Sequence, residues 1–237
     1  MFNHSETRLD ALIMIVDHSL EETLLHVYKS SDVPILILTH GQGTAKSVVY
    51  EVLGCGGLKK TVSVSIQTKA MTKHLLKQLS DRIEFNKPFT GIAFTINVSS
   101  VSNILSKLCV QAEENIKIGS EDMDSTHKEP YHLIVTIVNS GFFDQVMEAA
   151  KEAGASGGTV IHARGLGSKE ARKYLGITIQ PEKDLVLILT PKDKKLAIME
   201  NIMHKAGLNT AGTGICFSLP VDSAVGVGSL IENIDEI

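Results

Sequence analysis

Short runs of apolar and β-branched residues alternate with longer mixed stretches along the chain, and the alternation occurs twice. Leu12–Val16 (LIMIV) and Leu133–Val138 (LIVTIV) predict opening strands. Leu20–Ser30 and Phe142–Ala153 follow with helical composition, the second stopped by Gly154. Pro34–Thr39 (PILILT) and Thr159–Ala163 (TVIHA) predict second strands. Thr61–Gln67 (TVSVSIQ), alternating with a period of two, and Asp184–Thr190 (DLVLILT), apolar throughout, predict third strands. Lys69–Ile83, with Met71, Leu75 and Leu79 at i, i+4 and i+8, and Asp193–Ala206 predict second helices, and Ile92–Val98 and Ile215–Val221 close each set as strands. Both sets read β-α-β-β-α-β.

The two sets are also alike in letters. Thr90–Phe94 (TGIAF) and Thr213–Phe217 (TGICF) lie 123 residues apart. Gly41-Gln42-Gly43-Thr44 and Gly165-Leu166-Gly167-Ser168 lie 124 apart, and Ile15-Val16-Asp17 and Ile137-Val138-Asn139 lie 122 apart. An offset held within two residues over three separated blocks identifies two copies of one unit. Between them, Gly119–Pro130 (GSEDMDSTHKEP) carries a single apolar side chain, Met123, and four acids, and reads as a linker. The expected organisation is therefore an N-terminal domain over 1–118, a linker over 119–130 and a C-terminal domain over 128–237. Right-handed crossovers place both helices of each copy on one face of a four-stranded sheet. The fold class is α+β: two tandem ferredoxin-like domains, each an antiparallel sheet with helices on one face. DLVLILT is apolar at both parities, so the second sheet face also calls for burial, by the other copy or by a second chain.

A length of 237 residues suits two small domains. A net charge of −4, 5% aromatics and no Trp exclude both a basic nucleic-acid footprint and a base-stacking platform, so no nucleic acid is expected as partner. No apolar run approaches the roughly 18–20 residues of a membrane span, and Met1–Asp10 has no signal-peptide core. Membrane insertion is therefore not expected. Cys55, Cys109 and Cys216 are odd in number, widely spaced and without CxxC, which fits a reduced, cytoplasmic protein without disulfides or thiolate metal sites.

The segment after strand two is too long for a hairpin in either copy. Gly41–Gly54 (GQGTAKSVVYEVLG) and Gly165–Gly176 (GLGSKEARKYLG) each hold two glycines, an N-capping Thr44 or Ser168, a helix-compatible stretch and a glycine stop, so a short helix is expected in each. Its N-terminus, beside Gly41 and Gly43 with Lys46, or Gly165 and Gly167 with Lys169, is a candidate anion site. The second copy is the richer, because Arg164, Lys169, Arg172 and Lys173 surround the junction against Glu170 alone. Position six of a dinucleotide fingerprint falls on Lys46 or Glu170, which excludes that reading, and no GxxxxGK[ST] is present. A second glycine corner, Thr210–Gly214 (TAGTG), offers Gly212, Thr213 and Gly214 as an anion nest, and Thr90 and Gly91 are its weaker first-copy equivalents, with Phe89 in place of Gly212. His40 and His162 end strand two at nearly equivalent positions and are candidate ligand contacts. Neither a paired-His metal spacing nor a nucleophile–base signature is present, so neither a metal site nor catalysis is expected.

The long loop after strand two with GxG at its base, and the Gly-x-Gly turn running into the ICFSLPV strand, resemble the P-II nitrogen-regulatory signalling proteins, with Thr210–Val221 the best segment. The resemblance implies a trimer that binds ATP or ADP with 2-oxoglutarate between subunits and reports occupancy to a target protein through its T-loop. By position, Gly165, Gly167 and Lys169 match the T-loop base, and Gly212, Thr213 and Gly214 match the B-loop. The chain departs from the family pattern at Ile215, where a lysine follows the B-loop, and near Gly226 and Gly228, where the family has arginines. The expected function is regulatory: binding of a small anionic effector, an adenine nucleotide being one candidate, and modulation of a partner protein by a homo-oligomer. The alternative is a nucleotide-independent ferredoxin-like scaffold or a divalent-metal-response protein.

Overall fold

The computed structural model describes residues 9–44, 59–87, 90–116, 131–165, 173–174, 177–178 and 181–227. In chain order the elements are β1 (Leu9–Asp17), α1 (Glu21–Ser30), β2 (Leu36–Gly43), β3 (Lys59–Thr68), α2 (Lys69–Ser80), β4 (Gly91–Val98) and α3 (Asn103–Ile116). They continue with β5 (Tyr131–Asn139), α4 (Phe143–Glu152), β6 (Thr159–Arg164), β7 (Lys173–Tyr174), β8 (Ile177–Thr178), β9 (Glu182–Pro191), α5 (Lys195–Ala206), β10 (Ile215–Pro220) and β11 (Ser223–Val225). A 3-10 turn, His18–Leu20, capped by the Asp17 side chain, separates β1 from α1.

The chain divides into two compact units. The first holds the described residues within 1–40, 59–130 and 220–237, and the second those within 41–58 and 131–219. The sequence-expected second domain, 128–237, thus loses its last segment to the first unit. Ser223–Val225 pairs antiparallel with β4, and Thr95 and Ser223 share a 2.8 Å hydroxyl hydrogen bond. Lys69 Nζ donates to Asp222 at 3.0 Å, and Asn97 Nδ2 donates to the same carboxylate at 3.1 Å. The expected linker, 119–130, lies outside the described residues.

In the first unit the strand order is β2-β3-β1-β4-β11, the ferredoxin-like order with one strand added at the edge. Leu12, Met14 and Val16 of β1 and Ala93 of β4 pack against Leu24, Val27 and Tyr28 of α1 and Met71, Leu75 and Leu79 of α2. The cross-strand partners of those β1 residues are Ser65, Ser63 and Thr61, so the polar parity of β3 faces the helices. Burying a hydroxyl there requires a partner, and the Tyr28 hydroxyl meets Ser65 Oγ at 3.0 Å while Gln67 Nε2 donates to Thr72 at 3.0 Å. Burial pushes the Tyr28 phenol above its usual range. The apolar parity lies on the opposite face, where Ile15, Val62 and Phe94 are also buried.

The second unit repeats the order as β10-β5-β9-β6, with the Gln42–Gly43 end of β2 against β6. Here both parities of the third strand are apolar. Val186 and Ile188 join Ile134 and Val138 of β5 beneath Val146, Met147 and Ala150 of α4 and Ile198 and Ile202 of α5. Leu133, Val135 and Leu187 on the other face are buried too, as the uniform hydrophobicity of β9 demands. The two helices are tied at their polar edge, where Lys205 Nζ donates to Glu152 at 2.7 Å and Asn201 Nδ2 to the Ala149 carbonyl at 2.7 Å.

Two sequence expectations are corrected. The second helix of the first copy ends at Ser80 rather than Ile83, because Ile83 turns inward as a core residue and its N–H closes the last turn on the Leu79 carbonyl. The short helix expected across Gly165–Gly176 is not formed at its C-terminal end, where Lys173–Tyr174 pairs antiparallel with Ile177–Thr178. Tyr, Ile and Thr favour strand over helix, which outweighs the helical reading of the letters before them. The corresponding first-copy expectation, with Tyr50 and Gly54, lies outside the described residues beyond Thr44.

Cys109 of α3 is fully buried, its thiol 3.5 Å from the Ile66 carbonyl, and burial pushes its pKa up to about 11. A thiol so placed is almost wholly protonated at neutral pH. Iodoacetamide at pH 7.5 is therefore expected to leave Cys109 unmodified in the native protein and to label it fully in urea, as read residue by residue by peptide mass spectrometry.

Candidate functional site

Of the sequence-expected residues of the second copy, His162 and Arg164 come together at one end of the second unit's sheet. Ser140, His162, Ala163, Arg164, Glu182 and Lys183 line a cleft of about 430 Å³. Its floor is organised by Asp184, the first inward-facing residue of β9, which is completely buried. Asp184 lies directly opposite His162 across the β6–β9 ladder. The His162 Nδ1 to Asp184 Oδ1 distance is 2.8 Å, and the Gly141 amide donates to Asp184 Oδ2 at 2.9 Å. An ionised carboxylate only accepts, so Nδ1 carries the proton and, in the neutral ring, Nε2 is left as an acceptor. Beside it, Lys183 Nζ donates to Asn139 Oδ1 at 2.8 Å, and Asn139 Nδ2 donates to the Ala211 carbonyl at 3.1 Å. The chain from β5 into α4 is thereby fastened both to β9 and to the turn before β10.

That turn is the sequence-expected glycine corner, and its amides are not bare. Gly214 N–H donates to the Ala206 carbonyl at 2.9 Å, Thr213 N–H to the Thr210 carbonyl at 3.1 Å, and Gly212 N–H to Thr210 Oγ1 at 3.3 Å. The expectation of an open anion nest is corrected here: a tight turn has taken up the donors that a nest would present. Glycine at 214 is required for another reason, since an added Cβ would lie 2.2 Å from the Ala206 carbonyl oxygen. Thr213 adopts φ of +44° and has its hydroxyl buried. Gly165 also spends its amide internally, on the Pro181 carbonyl at 3.2 Å. Gly167, Ser168 and Lys169 lie outside the described residues. Charge in the cleft thus comes from side chains: Arg164, Lys183 and Glu182 all line it, and Arg164 lies opposite Glu182 across the β6–β9 ladder.

The first-copy equivalents divide between other tasks. Gly41 and Gly43 continue β2, and a Cβ on Gly41 would lie 2.6 Å from the Val160 carbonyl oxygen. The Thr44 hydroxyl, read as a helix N-cap, instead donates to the Gly158 carbonyl at 2.9 Å and accepts from the Gly158 amide at 2.8 Å. The Thr90 carbonyl accepts from Asp17 N–H at 2.8 Å, and Gly91, at φ of +152°, passes so close to Ile15 that no side chain fits. Lys46 lies outside the described residues. His40 alone stands in a chemically rich setting. Its Nε2 is 2.8 Å from Glu21 Oε2, which also accepts from Thr61 Oγ1 at 2.7 Å, and His18 Nδ1 is 3.3 Å from the same oxygen. The hydrogen bonds from Thr61 and then from His40 hold the Glu21 carboxyl below its usual range.

Residues 131–228 match the family model described as Nitrogen regulatory protein P-II. That segment is similar to the P-II family. Similar solved structures include the Arabidopsis thaliana PII bound to citrate, at 24% identity over 40% of this chain and 77% of that one, with a TM-score of 0.31. A putative PII-like signaling protein from Thermus thermophilus is 19% identical over 39% of this chain and 87% of that one, also with a TM-score of 0.31. No curated protein matches the chain. The matched residues include every residue that lines the cleft, from Ser140 to Lys183.

Sequence reasoning reached His162, Arg164 and the glycine corner but passed over Asp184, Lys183, Asn139, His18 and Glu21. The signal for Asp184 was present: a lone carboxylate opening an otherwise apolar strand, opposite a strand-end histidine. His18 and Glu21 carried only an i, i+3 spacing, and His40 joins them solely through the fold.

Asp184→Ala is expected to cost about 1.5–3 kcal/mol of stability, because two charge-assisted hydrogen bonds are lost from a buried carboxylate. His162→Ala, which leaves the buried Asp184 carboxylate with one donor fewer, should cost about 1–3 kcal/mol. Urea unfolding followed by circular dichroism measures both. By the same measurement Gly214→Ala should cost about 1–3 kcal/mol through overpacking. Gly165→Ala, whose Cβ would meet only Lys183 Cγ at 3.5 Å, should fall within about 0.5 kcal/mol of the parent.

Proposed function

We propose that this is a regulatory protein whose P-II segment binds a small anionic effector in the cleft between β6 and β9 and passes its occupancy to a partner protein. The observation that carries the reading is the convergence of Arg164, Lys183 and His162 on one cleft within the segment that matches the family. Guanidinium and ammonium groups at the rim supply the charge-assisted donors that a phosphate or carboxylate needs. The fastening of Asn139 to Lys183 and to the Ala211 carbonyl links the cleft to the turn before β10, so an anion that draws on Lys183 competes with a bond that holds two loops together. That competition is a route from binding to a change in shape.

An adenine nucleotide is the first candidate on the family likeness, with 2-oxoglutarate, a cyclic dinucleotide and citrate as further anions to test. Recognition by side chains replaces recognition by a backbone nest, since the Gly212, Thr213 and Gly214 amides are already engaged. The assembly is taken as a homo-oligomer, a trimer by family likeness, and the role as regulatory rather than catalytic. No helix among the described residues is long and apolar enough to cross a membrane.

Thermal denaturation with each anion at millimolar concentration tests the reading, because a ligand at about 100 times its Kd stabilises by about 2.7 kcal/mol. At least one anion should raise the Tm, and the double variant Arg164→Ala with Lys169→Ala should abolish the rise. Absence of a shift with all of them, or an undiminished shift in the double variant, overturns it.

A further inference from the structure

We propose that His18, Glu21 and His40 form a binding site for a divalent transition-metal ion of the zinc class, with an open coordination position toward solvent. The three side chains come from the turn after β1, the first turn of α1 and β2, and nothing in their sequence spacing pairs them. Their donor atoms, two imidazole nitrogens and one carboxylate oxygen, all lie within 4.8 Å of one another. An ion with ligands at about 2.0–2.1 Å in tetrahedral geometry separates its donors by about 3.3 Å. The Glu21 Oε2 distance to His18 Nδ1, 3.3 Å, equals that value and the one to His40 Nε2, 2.8 Å, falls short of it, so an outward movement of the His40 ring by about half an ångström is needed to admit the ion.

The donor set and its support both fit. Imidazole with one carboxylate suits Zn²⁺ and its neighbours rather than Mg²⁺ or Ca²⁺, which take oxygen ligands. Thr61 lies beneath the cluster, donating to Glu21 Oε2 at 2.7 Å and facing His18 Nδ1 at 3.1 Å, and so orients two of the three ligands. The His18 and His40 rings meet nearly edge to face, with centroids 5.0 Å apart and an interplanar angle of 84°, which holds both at the carboxylate. Their side chains are 47% and 62% exposed, so the side away from Glu21 is open to water or to a ligand atom. Three protein ligands and an open position form the pattern of a metal centre that acts on or recruits something, whereas a structural site is closed by four.

The cluster belongs to the first unit alone. Val16 faces Thr61 in the first copy as Val138 faces Asp184 in the second, which fixes the correspondence of the first and third strands. At the same offset the second-copy counterparts of His18 and Glu21 are Ser140 and Phe143, and His162 lies near the place of His40, so at most one of the three ligands recurs. The copies have thus drawn different chemistry from one corner: a cation site in the first, a cationic cleft in the second.

The test uses the full chain, free of affinity tags and stripped with a chelator, and does not depend on the effector reading because the metal alone is the probe. Titration with Co²⁺ is expected to develop visible absorption saturating at one ion per chain, and Zn²⁺ is expected to abolish it by displacement. His18→Ala, Glu21→Gln and His40→Ala should each weaken Co²⁺ and Zn²⁺ affinity on the order of tenfold or more, the spread that loss of a ligand or its support produces. His26→Ala, on the same helix but bonded to Arg82, should bind as the parent does. Unchanged thermal unfolding of the stripped variants, expected because both rings are exposed, separates loss of a ligand from loss of the fold. Absence of Co²⁺ absorption in the parent, or equal affinity in the three variants, overturns the proposal.

Discussion

A carboxylate with no exposure to water must be given partners, and the second unit is arranged around that requirement. Asp184 opens the longest apolar strand of the segment, where its charge would be costly without compensation. The compensation comes from two directions: the imidazole of His162 across the ladder and the Gly141 amide from the turn leading into α4. Each donor fixes a different piece of chain, so a single buried charge sets where β6 ends and where α4 begins. Of the rim groups that give the cleft its chemistry, Ser140 and Lys183 are immediate chain neighbours of Gly141 and Asp184, and Arg164 is two residues from His162. Their placement follows from that charge.

The first unit solves the same corner without a buried acid. At the position of Asp184 it has Thr61, a neutral hydroxyl that costs less to bury, and the carboxylate moves to Glu21 in the first turn of α1. There the positive end of the helix dipole adds to the hydrogen bonds from Thr61 and His40. The exchange puts the acid near solvent instead of beneath the sheet, and it brings a second histidine, His18, to the same oxygen. One backbone plan thus carries a partly exposed carboxylate at this corner in the first unit and a buried one in the second.

Much of this architecture was legible in the letters, for a physical reason. Strand and helix periods, glycine stops and the offset between copies are local signals, and they placed twelve elements close to their observed positions. What local signals could not carry is which atoms the backbone donors choose. Gly212 and Gly214 read as open corners because glycine frees the backbone, yet that freedom was spent on closeness to the Ala206 carbonyl. Thr44 read as a helix cap because threonine caps helices, yet its hydroxyl closes on Gly158, over a hundred residues away. The edge strand Ser223–Val225 was likewise invisible, since three residues carry no period and its partner lies in the other copy's sequence.

The serines of β3 show how alternation alone misassigns a face. TVSVSIQ has one apolar and one polar parity, and the usual inference sends the apolar parity to the helices. The register with β1 sends the serines there instead, because Leu12 and Met14 face Ser65 and Ser63. Tyr28 of α1 meets the Ser65 hydroxyl in an otherwise apolar layer, while Ser63 Oγ is buried without a hydrogen-bond partner. It also leaves Val62, Val64 and Ile66 for the face away from the helices. A sheet that gives its better hydrophobic face to the side without helices is built for burial on that side, and Ile15, Val62 and Phe94 are buried accordingly. The polar helix face is thus the local cost of a two-sided sheet, met in part by Tyr28 at Ser65 and by Thr72 at Gln67.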